Sequence, residues 1–479
     1  MSEIREMYNT NTLTSSKSTV CTEVVANNTC VGCGICVAVC PLQKLEIEFN
    51  EFGEYVVQEN DKLCPGACNI CLKVCPFAEK EENEDTLGKK LFSHFAGIKH
   101  TPETGYYLDL YAGYSNVNNH RAHGASGGMA TWLLETLLRN NMVDYVVCVT
   151  PSNDPEKLFH FAVFDDIDSI RRSAKSSYYP VEMSVVIKKI LKNKGRYAIT
   201  GLPCFLKGLR FAAKKNKKLR ERLIITIGLV CGQMKSKHYT TYLASLAGIN
   251  GKLKKVNYRG KDSQKPASNY FFQCINEKNS ERRLFWDEGV GIAWNNRWFT
   301  PNACNFCDDV FAELADVCVM DAWLPEYCRD SRGINLLISR TPMVSNLLVQ
   351  GKSEGMISIE EISIKKVIQA QIGVLNMKRN HLAYRLYCTK QNGLPVITKR
   401  VAPSRRIGFF DKKTIELKDK MQDLSRGLFL RFYVDETLNL KAFSDEINHF
   451  TSELRKWERL NSILRLPVRA IRKVKRSWL

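Results

Sequence analysis

Between Leu110 and Leu246, short apolar runs alternate with longer segments whose apolar residues recur every three or four positions. Compact apolar runs predict strands, and the longer period predicts helices with one buried face. On this basis Leu110–Tyr114, Tyr145–Val149, Tyr197–Thr200 and Ile224–Val230 are expected strands, the last rich in β-branched residues and of buried character. Gly128–Arg139, Pro180–Lys192, Phe205–Lys218 and the region His238–Leu246 are expected helices. This alternation predicts an α/β domain with a mixed or largely parallel sheet. Upstream, from Cys21 to about Phe77, the chain is cysteine-dense and poor in long periodic runs, as expected where metal rather than a large core organises the fold. Residues 1–20 read as a disordered lead-in and the acidic run Glu79–Asp85 as a solvated linker. After about Ser404 the pattern is helical and cationic, with no strands expected. The expected order is thus a metal-organised α+β domain at 21–82, a linker at 83–105, an α/β domain at 106–400 and a helical basic tail at 401–479. Within the α/β domain an amino-terminal part spans about 106–185 and a carboxyl-terminal part about 186–350.

Composition narrows the classes. An apolar share of 44% and a charged share of 25% over 479 residues suit a globular protein and exclude wholesale disorder. No stretch approaches the ~20 continuous apolar residues of a bilayer span, and the polar first twenty residues read as neither signal peptide nor anchor. A cytoplasmic location is the expectation. The excess of 70 Lys and Arg over 50 Asp and Glu suits nucleic acid, anionic lipid, or an acidic partner or cofactor. Nucleic acid is not expected, because neither a helix-turn-helix nor an aromatic-interleaved basic patch is present. Eighteen cysteines in a chain without an export signal point to metal ligands rather than disulfides.

Eight of these cysteines form two arrays, Cys30-x2-Cys33-x2-Cys36-x3-Cys40-Pro41 and Cys64-x3-Cys68-x2-Cys71-x3-Cys75-Pro76. Thiolates at three-residue spacing wrap one face of a cubane cluster, and the fourth, held before proline, serves the other cluster of a pair. The arrays resemble the bacterial two-cluster ferredoxin domain. That resemblance implies one 4Fe-4S cluster on Cys30, Cys33, Cys36 and Cys75 and a second on Cys64, Cys68, Cys71 and Cys40. Gly32 and Gly34 would let the backbone turn and aim N–H groups at the sulfurs. Structural zinc is the alternative, though zinc ligands usually come as separated pairs. Pro65 and Gly66 add a residue to the second array, and Cys21 lies outside the pattern.

In the larger domain Arg121-Ala122-His123-Gly124-Ala125-Ser126-Gly127-Gly128 lies between a strand and a helix, where small residues let backbone approach a phosphate. Gly201-Leu202-Pro203-Cys204 and Cys231-Gly232 each follow an expected strand, and Cys304-x2-Cys307-x-Asp309 precedes Asp321-Ala322-Trp323. Together these motifs, from about Tyr106 to Leu348, resemble the family of coenzyme F420 hydrogenase/dehydrogenase beta subunits. The resemblance implies an iron–sulfur flavoprotein oxidoreductase that passes electrons between a hydride carrier (F420 or another donor), FAD and 4Fe-4S clusters. Relatives of the family also reduce chlorophyll-type pigments or accompany polysaccharide biosynthesis. A non-enzymatic electron-transfer or accessory iron–sulfur subunit is the alternative. Two departures stand out: the family's Ser-Lys-Tyr stretch appears as Ser176-Ser177-Tyr178, and its Cys-His-Gly turn as Cys231-Gly232-Gln233.

Cys204, Cys231, Cys304 and Cys307 could hold a third 4Fe-4S cluster, since the carboxyl ends of strands converge on ligand sites in open α/β sheets. Alternatively Cys204 and Cys231 are core cysteines and the Cys304/Cys307 pair binds zinc. Arg121, Arg259 and Lys261 could neutralise a pyrophosphate or an acidic coenzyme, or simply lie on the surface. Asp321 could contact ribose or cap a strand end, and no catalytic residue is assigned. Redox partners are a coenzyme and an electron-transfer protein. Nine Lys or Arg residues between Arg455 and Leu479, interleaved with apolar ones and broken by Pro467, suit either a peripheral contact with anionic membrane or a packed terminal helix.

Overall fold

A computed structural model describes residues 18–476 apart from 63, 65–67 and 395, with backbone alone from residue 465 onward. The eight-stranded central sheet comprises β1 (Asp109–Ser115), β2 (Tyr145–Pro151), β3 (Phe159–Phe164), β4 (Tyr197–Gly201), β5 (Leu223–Leu229), β6 (Val317–Asp321), β7 (Asn335–Ser339) and β8 (Ile357–Glu361). Its order is β8-β1-β7-β6-β5-β4-β2-β3. The sheet is mixed: β6, β5, β4 and β2 run parallel at its centre, and the flanking pairs are antiparallel. Strands covered on both faces need apolar residues at consecutive positions. This is why β4 and β5 read as largely apolar runs, each interrupted by one threonine, Thr200 and Thr226.

Side chains alternate across the sheet. Val146, Ala198, Ile225 and Val319 face one core with Trp132, Leu133 and Leu348. Val147, Ile199, Cys318 and Met320 face the other, which holds Ile187, Phe205 and Leu209 and continues into the cysteine-rich segment. That segment is small: helices α1 (Ile35–Val39) and α2 (Ile70–Val74) and a two-stranded hairpin, Leu45–Phe49 with Tyr55–Glu59. Helix α3 (Met129–Arg139) starts on Gly128, whose φ of 77° only glycine adopts freely. Helix α4 (Pro203–Lys215) starts on proline, whose missing N–H costs nothing at that position.

Two regions differ from expectation. The stretch read as a solvated linker holds a helix, Glu84–Phe92, and Glu84 is buried against Lys207 at 3.0 Å. A single carboxylate in an acidic run can be drawn inside by one buried cation, and composition does not register it. The carboxyl-terminal region is a pair of long helices, α5 (Phe409–Phe432) and α6 (Leu440–Arg476), joined by a small hairpin, Tyr433–Val434 with Thr437–Leu438, where no strands were expected. Phe443, Ile447 and Leu454 of α6 are buried, whereas Leu460, Ile463 and Leu464 are about half exposed or more. The helix continues through Pro467 instead of breaking there. Among the described residues no helix is long and apolar enough to cross a membrane.

Candidate functional site

The carboxyl ends of the parallel strands place Asp321, Cys231 and Cys204 on one side of the sheet. Beside Asp321, at the end of β6, is a crevice lined by Ser126, Arg259, Lys261, Tyr270 and Trp323 among others. Arg259 forms a paired contact with Asp321 (3.0 and 3.1 Å), donates to the Tyr178 hydroxyl (3.2 Å) and lies 4.1 Å over the Tyr270 ring. Among the described residues its buried Nε has no hydrogen-bond partner, and neither does the buried Ser177 hydroxyl. Lys261 donates to the carbonyl oxygens of Arg121, Ser126 (2.7 Å) and Arg332 (2.6 Å). Burial, followed by the charges of Arg259 and Arg121, lowers Lys261 to about 7. Lys175, just before Ser176, also bears on Lys261 and has a φ of 109°, rare for a residue with a side chain. A lysine therefore contributes to this cluster from one position before the Ser-Ser-Tyr stretch.

The glycine turn is built for close packing. A Cβ on Gly127 would come within 2.7 Å of the Gly113 oxygen and 2.9 Å of the Asn335 amide. One on Gly124 would meet the His120 oxygen at 2.7 Å, and Gly128 is tight against the same residue. Gly127 thus seats the turn against β1 and β7, which explains the glycine without a phosphate. Arg121 is committed to Asp330 (2.7 Å) and to the Gly333 carbonyl (2.9 Å). Ser126 donates to the Ile334 oxygen (2.7 Å), and Ser176 lies in the loop before Tyr178. The crevice has about 10 Å³ of free space, room for a water-sized group and not for a ring system.

A second cluster is formed by Cys204, Cys231, Cys304 and Cys307. Burial raises the Cys204 thiol well above its ordinary range, and Cys307, Cys231 and Cys304 raise it further, in that order. Burial also pushes Cys231 up to about 12, with Cys304 and Cys307 adding to it. The four thiols share one low-dielectric neighbourhood. Three buried cations face it. Burial would lower Lys378, yet the Cys307, Cys231 and Cys304 sulfurs hold it above its ordinary range, and its Nζ is 3.0 Å from Cys307 Sγ. Lys235 donates to the Trp298 carbonyl (2.7 Å) and the Thr300 hydroxyl (3.1 Å), and burial depresses it strongly. Arg297 donates to Asn305 (2.7 Å) and Met377, and burial brings it down to about 10. All three are at most 3% exposed, and among the described residues none has a carboxylate within ion-pair distance. The Met234 amide points at Cys304 Sγ from 3.3 Å.

Buried cations without acids are costly. An anion among the four thiols would offset that cost, and a cubane held by four thiolates is a net anion. Among the described residues no three Cys, His, Asp or Glu side chains close on a point that one metal ion could occupy.

In the amino-terminal segment Cys30, Cys33, Cys36 and Cys75 lie within each other's fields, and Cys71 lies within those of Cys64 and Cys68. Backbone amides face the sulfurs: Gly32 and Val57 at Cys30, Ile35 at Cys33, Phe77 and Ala78 at Cys75. Gly32 and Gly34 hold φ of 67° and 72°, and a Cβ on Gly32 would stand 2.3 Å from the Tyr55 oxygen. Cys40 ends α1, half-buried. Cys21, outside the arrays, is pushed up to about 12 by burial and Glu59, with Cys30 and Cys71 adding to it. Pro65 and Gly66 lie outside the described residues.

The model for the amino-terminal part of the coenzyme F420 hydrogenase/dehydrogenase beta subunit matches residues 110–188, and the model for its carboxyl terminus matches 194–365, together just over half of the chain. The chain belongs to this family. It is 21% identical over 311 residues to a subunit of the F(420)H(2) dehydrogenase of Methanosarcina mazei, spanning 64% of this chain and 78% of that one. It is also similar to a chain of the F420-reducing NiFe hydrogenase complex of Methanosarcina barkeri, at 15% identity and a TM-score of 0.49, covering 62% of this chain and 99% of that one.

Membership in this family gives the chain a redox role. Within the matched ranges lie the glycine turn, Tyr178, the four-thiol cluster and Arg259. Lys378 lies beyond them, and sequence reading missed it together with Lys235 and Arg297. Lys235, four positions after Cys231, carries a faint signal; the other two carry none, because only folding brings them to the thiols.

Proposed function

We propose that the chain is an iron–sulfur flavoprotein oxidoreductase, with 4Fe-4S clusters on the two amino-terminal thiol groups and a third on Cys204, Cys231, Cys304 and Cys307. The observation that carries this reading is the collar of Lys235, Arg297 and Lys378, three buried cations that have no carboxylate within ion-pair distance among the described residues, around four thiols. Loading such a site would release the thiol protons. Arg259 and Lys261 would hold the anionic part of FAD at the mouth of the crevice, with the rest of the dinucleotide outside it. Tyr178, its ring tilted against that of Trp294 at 4.5 Å between centroids, would border the flavin ring. Bound there, a flavin supplies conversion between a two-electron hydride carrier and one-electron centres. The chain's own residues orient it, exclude water and set the local charge. F420 or another hydride carrier is the proposed coenzyme, and an electron-transfer protein the proposed partner. At the far end, exposed Leu460, Ile463 and Leu464 beside Arg455, Lys456 and Arg459 favour a peripheral contact with anionic membrane.

The test is anaerobic purification with iron, sulfide and flavin counted. The expected result is about twelve irons per chain and one flavin. Changing Cys304 and Cys307 to serine should remove about four irons and leave the rest. Unchanged iron in that variant contradicts the third cluster. Full iron without flavin moves the chain to the accessory electron-transfer reading.

A further inference from the structure

Helix α4 begins at Pro203-Cys204, and one turn later Gly208 presents bare backbone to the amino-terminal segment. A Cβ at Gly208 would stand 2.8 Å from Ile35 Cδ1, 3.3 Å from Pro76 Cδ and 3.4 Å from the Val74 oxygen. The missing side chain lets the helix that carries Cys204 lie directly on residues flanking Cys36 and Cys75. A neighbouring contact reinforces this. The Met183 amide donates to the Cys33 carbonyl at 2.9 Å, and Gly34 packs against Glu182 and Ser184 with no room for a Cβ.

A second bridge leaves from the same cysteines. Lys80 donates to the carbonyls of Leu72 (2.7 Å) and Cys75 and lies 4.5 Å over Phe211 of α4. Lys399 covers the Phe77 ring at 4.9 Å and reaches Asp308, the residue after Cys307, at 4.0 Å. Cys71 differs. One turn back on α2, its sulfur takes the Val20 amide and stands beside Cys64 and Cys68.

We infer that the two amino-terminal thiol groups are ordered: the Cys30, Cys33, Cys36 and Cys75 group is the inner station, adjoining the Cys204 site, and the Cys64, Cys68 and Cys71 group is the outer one. The inference rests on the cluster reading above. With clusters bound, one electron at a time would pass from the Cys204 site to the inner group and on to the outer group, each donor oxidised and each acceptor reduced by one equivalent, with no bond made or broken. A hydride carrier supplies the electrons and an external one-electron carrier protein takes them up. Gly208 is a positioning residue that sets the first gap.

Power-saturation EPR on the anaerobically reduced full chain tests the order, because neighbouring paramagnetic centres speed each other's relaxation. The Cys33→Ser and Cys68→Ser variants identify the inner and outer signals by their loss. In the Cys304→Ser/Cys307→Ser variant the inner signal should saturate more easily and the outer signal should not change. The reverse, or no change in either at about twelve irons in the wild-type chain, overturns the order alone. About eight irons in the wild-type chain overturns the cluster reading and the order with it. Gly208→Leu should keep its iron and show the same slower relaxation of the inner signal. Unaltered relaxation there removes Gly208 from the route, and if that variant does not fold, the cysteine variants still decide the order.

Discussion

Lys261 shows how a single side chain can be tuned by company. Its ammonium has three carbonyl oxygens around it, and burial together with Arg259 and Arg121 lowers it to about 7. A phosphate-bearing ligand would hold the ammonium charged and so raise its pKa on binding. Affinity should then be full below about pH 7 and fall as pH rises above it, by up to about tenfold per unit. Dissociation constants for FAD between pH 6 and 9 measure this, and Lys261→Met should bind more weakly with a flat profile. The same slope in that variant would show that another group titrates. The folding linkage has the opposite direction: between about 7 and the unfolded lysine value the unfolded chain holds the extra proton, so the penalty of burying Lys261 shrinks as pH rises.

How far residues were legible follows from their spacing. The arrays from Cys30 to Cys75 are local in sequence, so the type and interval of the thiols carried the expectation. Lys378 meets Cys307 from 71 positions away, and nothing in the neighbourhood of either residue announces the other. Gly127 was legible as a required glycine but not for its reason, because the clash that excludes a Cβ comes from Gly113 and Asn335.

At the scale of elements, helices and strands with one strong period were readable to within a few residues. Met129–Arg139, Tyr197–Gly201 and Leu223–Leu229 fall on the expected Gly128–Arg139, Tyr197–Thr200 and Ile224–Val230. The carboxyl-terminal helices were readable as helices and not as part of the body. Gln422 of α5 donates to the Thr300 carbonyl (2.8 Å), and Ser425 accepts from the Phe299 amide (2.9 Å), bracing the loop that leads to Cys304. Arg426 of the same helix pairs with Glu54 of the cysteine-rich segment at 3.2 Å, both nearly buried. Removing one partner of such a pair leaves the other charge stranded. Arg426→Ala should cost about 3–5 kcal/mol, measured by thermal or urea unfolding. Burial already holds Glu54 above the ordinary carboxylate range despite Arg426. Below its pKa Glu54 is neutral and needs no partner, so the loss should be larger at pH 8 than at pH 5. Equal losses at both would mean that packing, not charge, is what Arg426 provides.

For the molecule as a whole, the family domain, the cysteine-rich segment and the carboxyl-terminal helices meet around the four thiols. Helix α4 brings Cys204 against the cysteine-rich segment, and the loop held by α5 brings Cys304. Arg400 ties them further, with Glu313 at 2.6 Å and Asp85 at 2.9 Å. This arrangement suits the proposed role, in which electrons gathered at one site would move through the chain's own interior. The most direct measurement is an anaerobic reductive titration of the full chain, counting electrons taken up while the flavin absorbance and the cluster EPR signals are followed. Uptake of about five equivalents, two bleaching the flavin and one in each of three clusters, is the expected result. Uptake of two equivalents or fewer would contradict the account.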